Sequence, residues 1–259
     1  MTGTSSEYTV RTRNRLAFVL SVLLIIPIWP AFASDKGYDV PSRISSSECV
    51  ILLHGFGRTR HAMKKIAGRL EDLGYTVWNE GYASTEKPIA ELVPDHLVPA
   101  IRWAEEMGAE KIHFVTHSLG GILVRVYLQE NSLPPGSRVV MMSPPNRGSQ
   151  VADWLQPFFL FKWLMGPAGQ QLGTSADSVP NNLKPVTADI GVIAGTRSME
   201  PWFSMMLPGQ DDGKVSVEST KLEEMNDFLT VKSTHPFIMR APKVIDQVIY
   251  YLRNGRFSR

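Results

Sequence analysis

Short apolar runs alternate along the chain with segments whose apolar residues recur at helical spacing. Cys49–Leu53 is a continuous apolar run that ends before Gly55, as expected for a strand buried on both faces. The repeated strand–helix unit predicts an α/β fold, with a mostly parallel twisted sheet and helices on both faces. The predicted strands are Cys49–Leu53, Thr76–Trp78, Lys111–Thr116, Arg138–Met142, Ile190–Ala194 and Leu229–Lys232, and the predicted helices are Met63–Leu73, Val98–Met107, Gly120–Gln129 and Lys243–Leu252.

The composition is that of an ordinary globular chain and argues against a nucleic-acid binder. Of 259 residues, 43% are hydrophobic and 20% are charged. The net charge of +2 comes from residues 1–33, because the rest of the chain carries 24 positive and 24 negative side chains. No basic patch is evident in the sequence, so no nucleic-acid partner is expected. The one cysteine, Cys49, leaves no intramolecular disulfide and is expected to be a buried small hydrophobe.

Residues 1–33 have the three parts of a secretory signal peptide. Arg11, Arg13 and Arg15 precede an uncharged apolar stretch, and Ala31-Phe32-Ala33 provides a small-residue cleavage site. We therefore predict cleavage after Ala33 and export to the periplasm or the medium, which leaves residues 34–259 as one domain. A retained inner-membrane anchor is the alternative, although the uncharged stretch is at the lower limit of about 20 residues for a span. A buried core helix is the third interpretation.

A nucleophile motif lies between a predicted strand and a predicted helix. Thr116-His117-Ser118-Leu119-Gly120-Gly121 has the form Thr-x-Ser-x-Gly, a variant of the Gly-x-Ser-x-Gly elbow. Small residues are needed around the serine because the strand and helix backbones crowd at a strained turn, and Gly120 and Gly121 meet that need. Thr116 replaces the first glycine and weakens the literal match. The other interpretation of Ser118 is the N-cap of an ordinary helix.

The motif at Ser118, together with two further stretches, makes the chain resemble an α/β-hydrolase of the lipase and esterase branch. The resemblance runs from about Val50 to Leu252. Residues 50–57 (Val-Ile-Leu-Leu-His-Gly-Phe-Gly) are similar to the strand and His-Gly loop that supply the oxyanion hole in lipases. Residues 142–149 (Met-Ser-Pro-Pro-Asn-Arg-Gly-Ser) are similar to the stretch that follows the next strand in that branch. The family order of nucleophile, acid and histidine is also present.

The resemblance implies a catalytic role for each of five residues. Ser118 would attack the acyl carbonyl, with His235 as its base and Asp212 holding the imidazole in the right tautomer. Asp211 is the alternative acid, and Asp177 and Asp189 are weaker candidates. The backbone N–H groups of Phe56 and Leu119 would form the oxyanion hole.

The other histidines are assigned roles outside proton transfer. His54 is expected to brace the oxyanion loop by hydrogen bonding, and His113 is expected to be structural. His117 is not expected to be the base, because the elbow directs its side chain away from the serine. His61 and His96 are expected to be solvated. No histidine and carboxylate set has metal-ligand spacing, so no metal is expected. The ester hydrolysis that the resemblance implies needs no cofactor.

An apolar insertion at about residues 150–185 separates two predicted strands. Its first half is rich in aromatic residues and its second half is expected to be a loop. We interpret it either as a lid or acyl-pocket wall, or as a helix packed on the sheet. The candidate substrate-binding residues are His117, Trp154, Phe158 and Trp202.

These features favour a serine carboxylic-ester hydrolase, a lipase or esterase, that forms an acyl-enzyme from esters with an apolar acyl chain. Its partner would be a small-molecule or lipid ester, with contact to a membrane surface as a further expectation. An acyltransferase that uses the same three residues is the alternative. A non-catalytic ligand-binding member of the fold is the third hypothesis, and the presence of Ser118, Asp212 and His235 argues against it.

Overall fold

One sheet of six parallel strands organises the chain. The computed structural model describes residues 47–157 and 159–259, apart from the side chains of residues 159–164. The strands are β1 (Glu48–Leu53), β2 (Thr76–Trp78), β3 (Lys111–His117), β4 (Arg138–Met142), β5 (Asp189–Gly195) and β6 (Asp227–Val231). Their order across the sheet is β2-β1-β3-β4-β5-β6, and each neighbouring pair is parallel. The predicted α/β class and parallel sheet are confirmed. The predicted signal peptide lies outside the described residues.

Alternate side chains of each strand enter two different hydrophobic cores. In β1, Cys49, Ile51 and Leu53 belong to one core, whereas Val50 and Leu52 belong to the other. This alternation follows from the period of two along a strand and explains why β1 is apolar without interruption. Cys49 is fully buried, in agreement with its predicted role as a small hydrophobe.

Helices cover both faces of the sheet, as predicted. One core includes residues of α3 and α4, and the other includes residues of α1 and α10. The α-helices are α1 (Lys64–Asp72), α2 (Ile89–Leu92), α3 (Val98–Glu106), α4 (Leu119–Tyr127), α5 (Gln150–Leu155), α6 (Phe159–Gln170), α7 (Val179–Asn182), α8 (Pro201–Ser204), α9 (Val217–Thr220) and α10 (Pro242–Asn254). Short 3₁₀ helices lie at Arg60–Ala62 and Ile238–Arg240, and a π-helical turn at Val93–Leu97 joins α2 to α3.

The segment between β4 and β5 holds more helix than its sequence predicts. It contains α5, α6 and α7, so the expected loop in its second half is wrong for the end of α6 and for α7. The sequence predicts helix only weakly in this segment because α6 contains a kink. Gly166 has a positive φ of 50° and Pro167 follows it, and both residue types argue against a continuous helix in sequence reasoning.

Among the described residues, no helix has the length and apolar character needed to cross a membrane.

Candidate active site

Ser118 occupies a strained turn at the carboxyl end of β3. Its φ of 51° and ψ of −119° are unusual for a residue with a side chain, and its N–H donates to the carbonyl of Met142 at 2.9 Å. The turn also depends on Gly120, because a β-carbon there would lie 2.7 Å from the carbonyl oxygen of Leu53. Strand β1 and helix α4 therefore approach each other closely behind the serine, as the elbow motif predicts.

Asp212 and His235 meet above the same edge of the sheet. Asp212 lies in the loop between α8 and α9, and His235 lies between β6 and the 3₁₀ helix Ile238–Arg240. The His235 Nδ1 and the Asp212 Oδ2 are 2.8 Å apart. The backbone N–H of His235 also donates to the carbonyl oxygen of Asp212 at 2.9 Å. Both side-chain and main-chain contacts thus hold the imidazole against the carboxylate.

The surroundings of Asp212 keep it ionised. Its side chain is 1% exposed, and Oδ1 accepts the backbone N–H groups of Lys214 at 3.0 Å and Val215 at 2.9 Å. Burial alone raises the pKa of this carboxyl, but the charge and hydrogen bond of His235, with further hydrogen bonds from Ser143 and Val215, bring the pKa below its ordinary value. A carboxylate at Oδ2 directs the imidazole proton to Nδ1 and leaves Nε2 free to act as a base.

Asp211, the alternative acid in the sequence analysis, has different partners. Its Oδ1 accepts the Ser204 hydroxyl at 2.8 Å and the Gly213 N–H at 2.7 Å. These contacts shape the turn that presents Asp212, and they favour Asp212 over Asp211 as the partner of His235.

The loop after β1 packs directly against the turn at Ser118. A β-carbon at position 55 would lie 3.1 Å from the Ser118 Cβ and 2.5 Å from the His117 Nδ1, so only glycine fits there. Among the described residues, no acceptor takes the backbone N–H of Phe56 or of Leu119. The predicted oxyanion hole requires two such N–H groups, one next to the serine in the chain and one in the loop that packs against it.

His54 holds that loop in shape, as its sequence position predicts. The backbone N–H of Tyr82 donates to the His54 Nε2 at 3.2 Å, which leaves Nδ1–H to donate to the carbonyl of Gly55 at 2.9 Å. The two rings stack with 4.1 Å between their centroids. Burial lowers the pKa of His54, which keeps the ring in the neutral form that both hydrogen bonds need.

His117 lies between the loop after β1 and the loop that carries His235. Its Nε2–H donates to the carbonyl oxygen of His235 at 3.0 Å, and the two rings are 4.8 Å apart. Because His117 precedes Ser118 in the chain, this contact places His235 beside the nucleophile turn. Burial, together with the nearby His235, sets the pKa of His117 well below its usual value. The sequence analysis names His117 as a substrate-binding residue. Only 1% of its surface is exposed, so it is better placed to position His235 than to contact substrate.

Two of the other predicted substrate-binding residues lie on short helices. Trp154 lies in α5 and Trp202 in α8, and both are half-buried. Phe158 lies outside the described residues. The end of α6 does reach the site, because a β-carbon at Gly169 would lie 3.1 Å from the Phe56 ring. This contact is consistent with a pocket wall formed by the insertion.

Sequence reasoning assigned no role to Ser143, which supports Asp212. Ser143 follows β4, has a positive φ of 47° and is fully buried. Its hydroxyl accepts the Gly195 N–H at 3.3 Å and contributes to the lowered pKa of Asp212. The sequence signal that could have identified Ser143 is its position directly after β4, because the carboxyl ends of neighbouring parallel strands meet at one edge of the sheet.

Within the described parts of the chain, no group of three or more histidine, cysteine, aspartate and glutamate side chains could hold a metal ion.

Comparison with solved structures places this architecture among known folds. The mature form of a lipase from Bacillus licheniformis superimposes with a TM-score of 0.64 at 18% identity, over 83% of this chain and 96% of that one. The chain has the α/β-hydrolase fold. A metagenome-derived lipolytic enzyme matches with a TM-score of 0.58 at 17% identity, over 82% and 95% of the two chains. A metagenomic carboxyl esterase matches with a TM-score of 0.57 at 16% identity, over 80% and 70%.

No protein-family model matches the sequence, and no curated protein matches it. At 13–20% identity the structural likeness shows the fold, so the chemistry must be argued from the residues of this chain.

Proposed function

We propose that the protein is a serine carboxylic-ester hydrolase that acts on esters with an apolar acyl chain. The observation that carries the proposal is the 2.8 Å contact between Asp212 and His235, beside a serine held at a φ of 51°. The lipase and esterase structures that share the fold support the same class of reaction.

The first half-reaction would acylate Ser118. His235 Nε2 takes the hydroxyl proton as Ser118 Oγ bonds to the carbonyl carbon, and Asp212 stabilises the resulting imidazolium. The carbonyl oxygen becomes an oxyanion and accepts the N–H groups of Phe56 and Leu119. The bond to the alkoxy oxygen then breaks, and the leaving alcohol takes the proton from His235.

The second half-reaction would release the acid. His235 takes a proton from water, the resulting hydroxide attacks the acyl carbon, and the bond to Ser118 Oγ breaks as that oxygen recovers its proton. An apolar acyl chain is favoured because the Phe56 ring and the end of α6 lie together next to the oxyanion loop.

The decisive test uses the full chain and p-nitrophenyl esters from acetate to palmitate. We expect hydrolysis by the native protein, labelling of Ser118 by a serine-directed phosphonate, and a loss of at least about 10⁴-fold in kcat for Ser118→Ala. The control is Ser132→Ala, since Ser132 is an exposed serine in the loop after α4. Equal turnover by the two variants would refute the nucleophile assignment. Product analysis with an added alcohol separates hydrolysis from acyl transfer.

We also propose that the protein is exported and cleaved after Ala33, on the basis of the sequence pattern in residues 1–33. N-terminal sequencing of the protein from its native host should begin at Ser34. A mature chain that keeps residues 1–33 in the membrane fraction would support the anchor instead, and one that starts at Met1 in the cytoplasm would refute export.

A further inference from the structure

A cavity of about 340 Å³ lies next to the loop that carries His235. Its lining includes Arg197 and Met199 from the loop after β5, and Lys232, Thr234 and Phe237 from the loop after β6. The two loops are joined by main-chain hydrogen bonds, from Thr196 N–H to the Val231 carbonyl at 2.9 Å and from Arg197 N–H to the Ser233 carbonyl at 3.1 Å. The walls of this cavity, called here the Arg197–Lys232 cavity, are therefore fixed relative to each other.

The two charged side chains in the lining of this cavity are both cations. Arg197 and Lys232 are both exposed, and neither forms an ion pair with a carboxylate of the described residues. None of the lining residues is acidic. Glu200, the acid that follows Met199 in the chain, is engaged by Lys214 at 2.9 Å. Two cations at one concave surface attract an anion.

The lining also offers an apolar wall. Met199 is 51% exposed, although few large apolar side chains of the described chain are exposed to this extent. The half-buried Phe237 ring adds a second apolar surface. The cavity thus combines two cations and apolar side chains.

We propose that the Arg197–Lys232 cavity binds the anionic group of an amphiphile, a phosphate or carboxylate attached to an apolar chain. Arg197 and Lys232 would pair with the anion, and Met199 and Phe237 would contact the first part of the chain. Because Thr234 directly precedes His235, an occupied cavity lies beside the proposed base. The interpretation of this ligand as part of a substrate or product rests on the proposed function, whereas its binding does not.

The test measures binding by calorimetry to full-length Ser118→Ala protein, which removes turnover from the readout. Dodecyl phosphate and dodecanoate, used below their micellar concentrations, are the probes for the two anions, with dodecyl maltoside and inorganic phosphate for comparison. We expect both anionic amphiphiles to bind, and Arg197→Gln with Lys232→Gln to weaken that binding by at least about tenfold.

The control carries Arg69→Gln with Lys243→Gln, which removes the same charge from exposed positions on α1 and α10. This control variant should bind both anionic amphiphiles as tightly as the protein with native Arg69 and Lys243. Equal weakening in both double variants, or equal binding of dodecyl maltoside, would overturn the proposal. Inorganic phosphate bound as tightly as dodecyl phosphate would overturn its amphiphile part. Thermal denaturation checks that each variant is folded. Anion binding without esterase activity in the native chain would refute the proposed function and leave this proposal standing.

Discussion

The side chain of His117 donates a hydrogen bond to the main chain of His235 at 3.0 Å. The contact joins the residue before the proposed nucleophile to the proposed general base, although 118 positions separate them in sequence. It fixes the backbone from which the His235 ring projects, and Asp212 fixes the ring itself. Proton transfer depends strongly on such placement, because a displacement of about 1 Å can cost roughly 10²-fold in rate.

Removing the His117 donor should therefore lower kcat more than it changes KM. We expect His117→Leu to reduce kcat by about 10- to 100-fold, because the His235 carbonyl loses its donor and the loop shifts. His117→Gln should recover part of the loss, since its amide can donate in a similar direction. Steady-state kinetics on a p-nitrophenyl ester checks this, with thermal denaturation to compare folding. A rise in KM at constant kcat would instead indicate that His117 contacts substrate.

The two neighbouring aspartates should differ sharply in their effect on catalysis. Asp212→Asn should lower kcat by about 10⁴-fold, because the amide no longer holds the imidazole in the tautomer with a free Nε2. Asp211→Asn should keep most of the activity, since its partners are Ser204 and Gly213. The ratio of the two kcat values is the measurement. Similar losses in both variants would contradict the assignment of Asp212.

Gly55 should not tolerate even an alanine. A β-carbon there would be 2.5 Å from the His117 Nδ1, so the oxyanion loop must move away from Ser118. We expect Gly55→Ala to cost about 10²- to 10³-fold in kcat, comparable to losing one oxyanion donor. Gly68→Ala is the matched control, because position 68 lies in α1 with open space around it and should gain roughly 0.5–1 kcal/mol of stability. Full activity in Gly55→Ala would contradict the packing described here.

Buried neutral histidines should make the fold sensitive to mild acid. His113 is fully enclosed, its Nδ1 accepts the Arg138 N–H at 2.9 Å, and its Nε2 contacts Glu48 at 3.1 Å. Burial lowers the pKa of His113 in the folded chain, and the pKa of His54 is lowered for the same reason. The unfolded chain then binds more protons below about pH 6.5, so the free energy of unfolding should fall as the pH drops below that value.

His113→Gln tests this directly, because it removes one titrating group. The difference in melting temperature between pH 7.5 and pH 5 should be smaller in the variant than in the native chain. An unchanged difference would exclude His113 as a source of the acid sensitivity.

The regular part of the fold could be predicted from sequence because each strand is a short apolar run with a clear stop. β1 to β5 agree with prediction to within one residue at each end, whereas β6 begins two residues earlier, at Asp227 instead of Leu229. The sequence analysis predicts no helix over Ile89–Leu97, because prolines at 88, 94 and 99 argue against a helix despite the apolar residues there. Its apolar residues nevertheless enter the core and stabilise the π-helical turn.

Parts of the candidate site that depend on long-range contacts could not be predicted. The turn at Ser118 has a local motif, but the supporting role of Ser143 depends on Asp212, which is 69 positions away. The stacking of the His54 and Tyr82 rings is a second example, because the sequence around either residue does not predict that the two rings meet. Such roles follow from which loops meet at the carboxyl edge of the sheet, and that meeting is a property of topology.

The main-chain bonds of His235 have a consequence for how its side chain could be replaced. Its N–H is bound to Asp212 and its carbonyl to His117, so the loop is held by main-chain atoms that every amino acid except proline possesses. Truncation of the ring would leave a vacant slot of imidazole size, lined by an intact carboxylate. Small heterocycles supplied in solution could occupy that slot, which makes position 235 a natural place for chemical complementation and for installing non-natural bases.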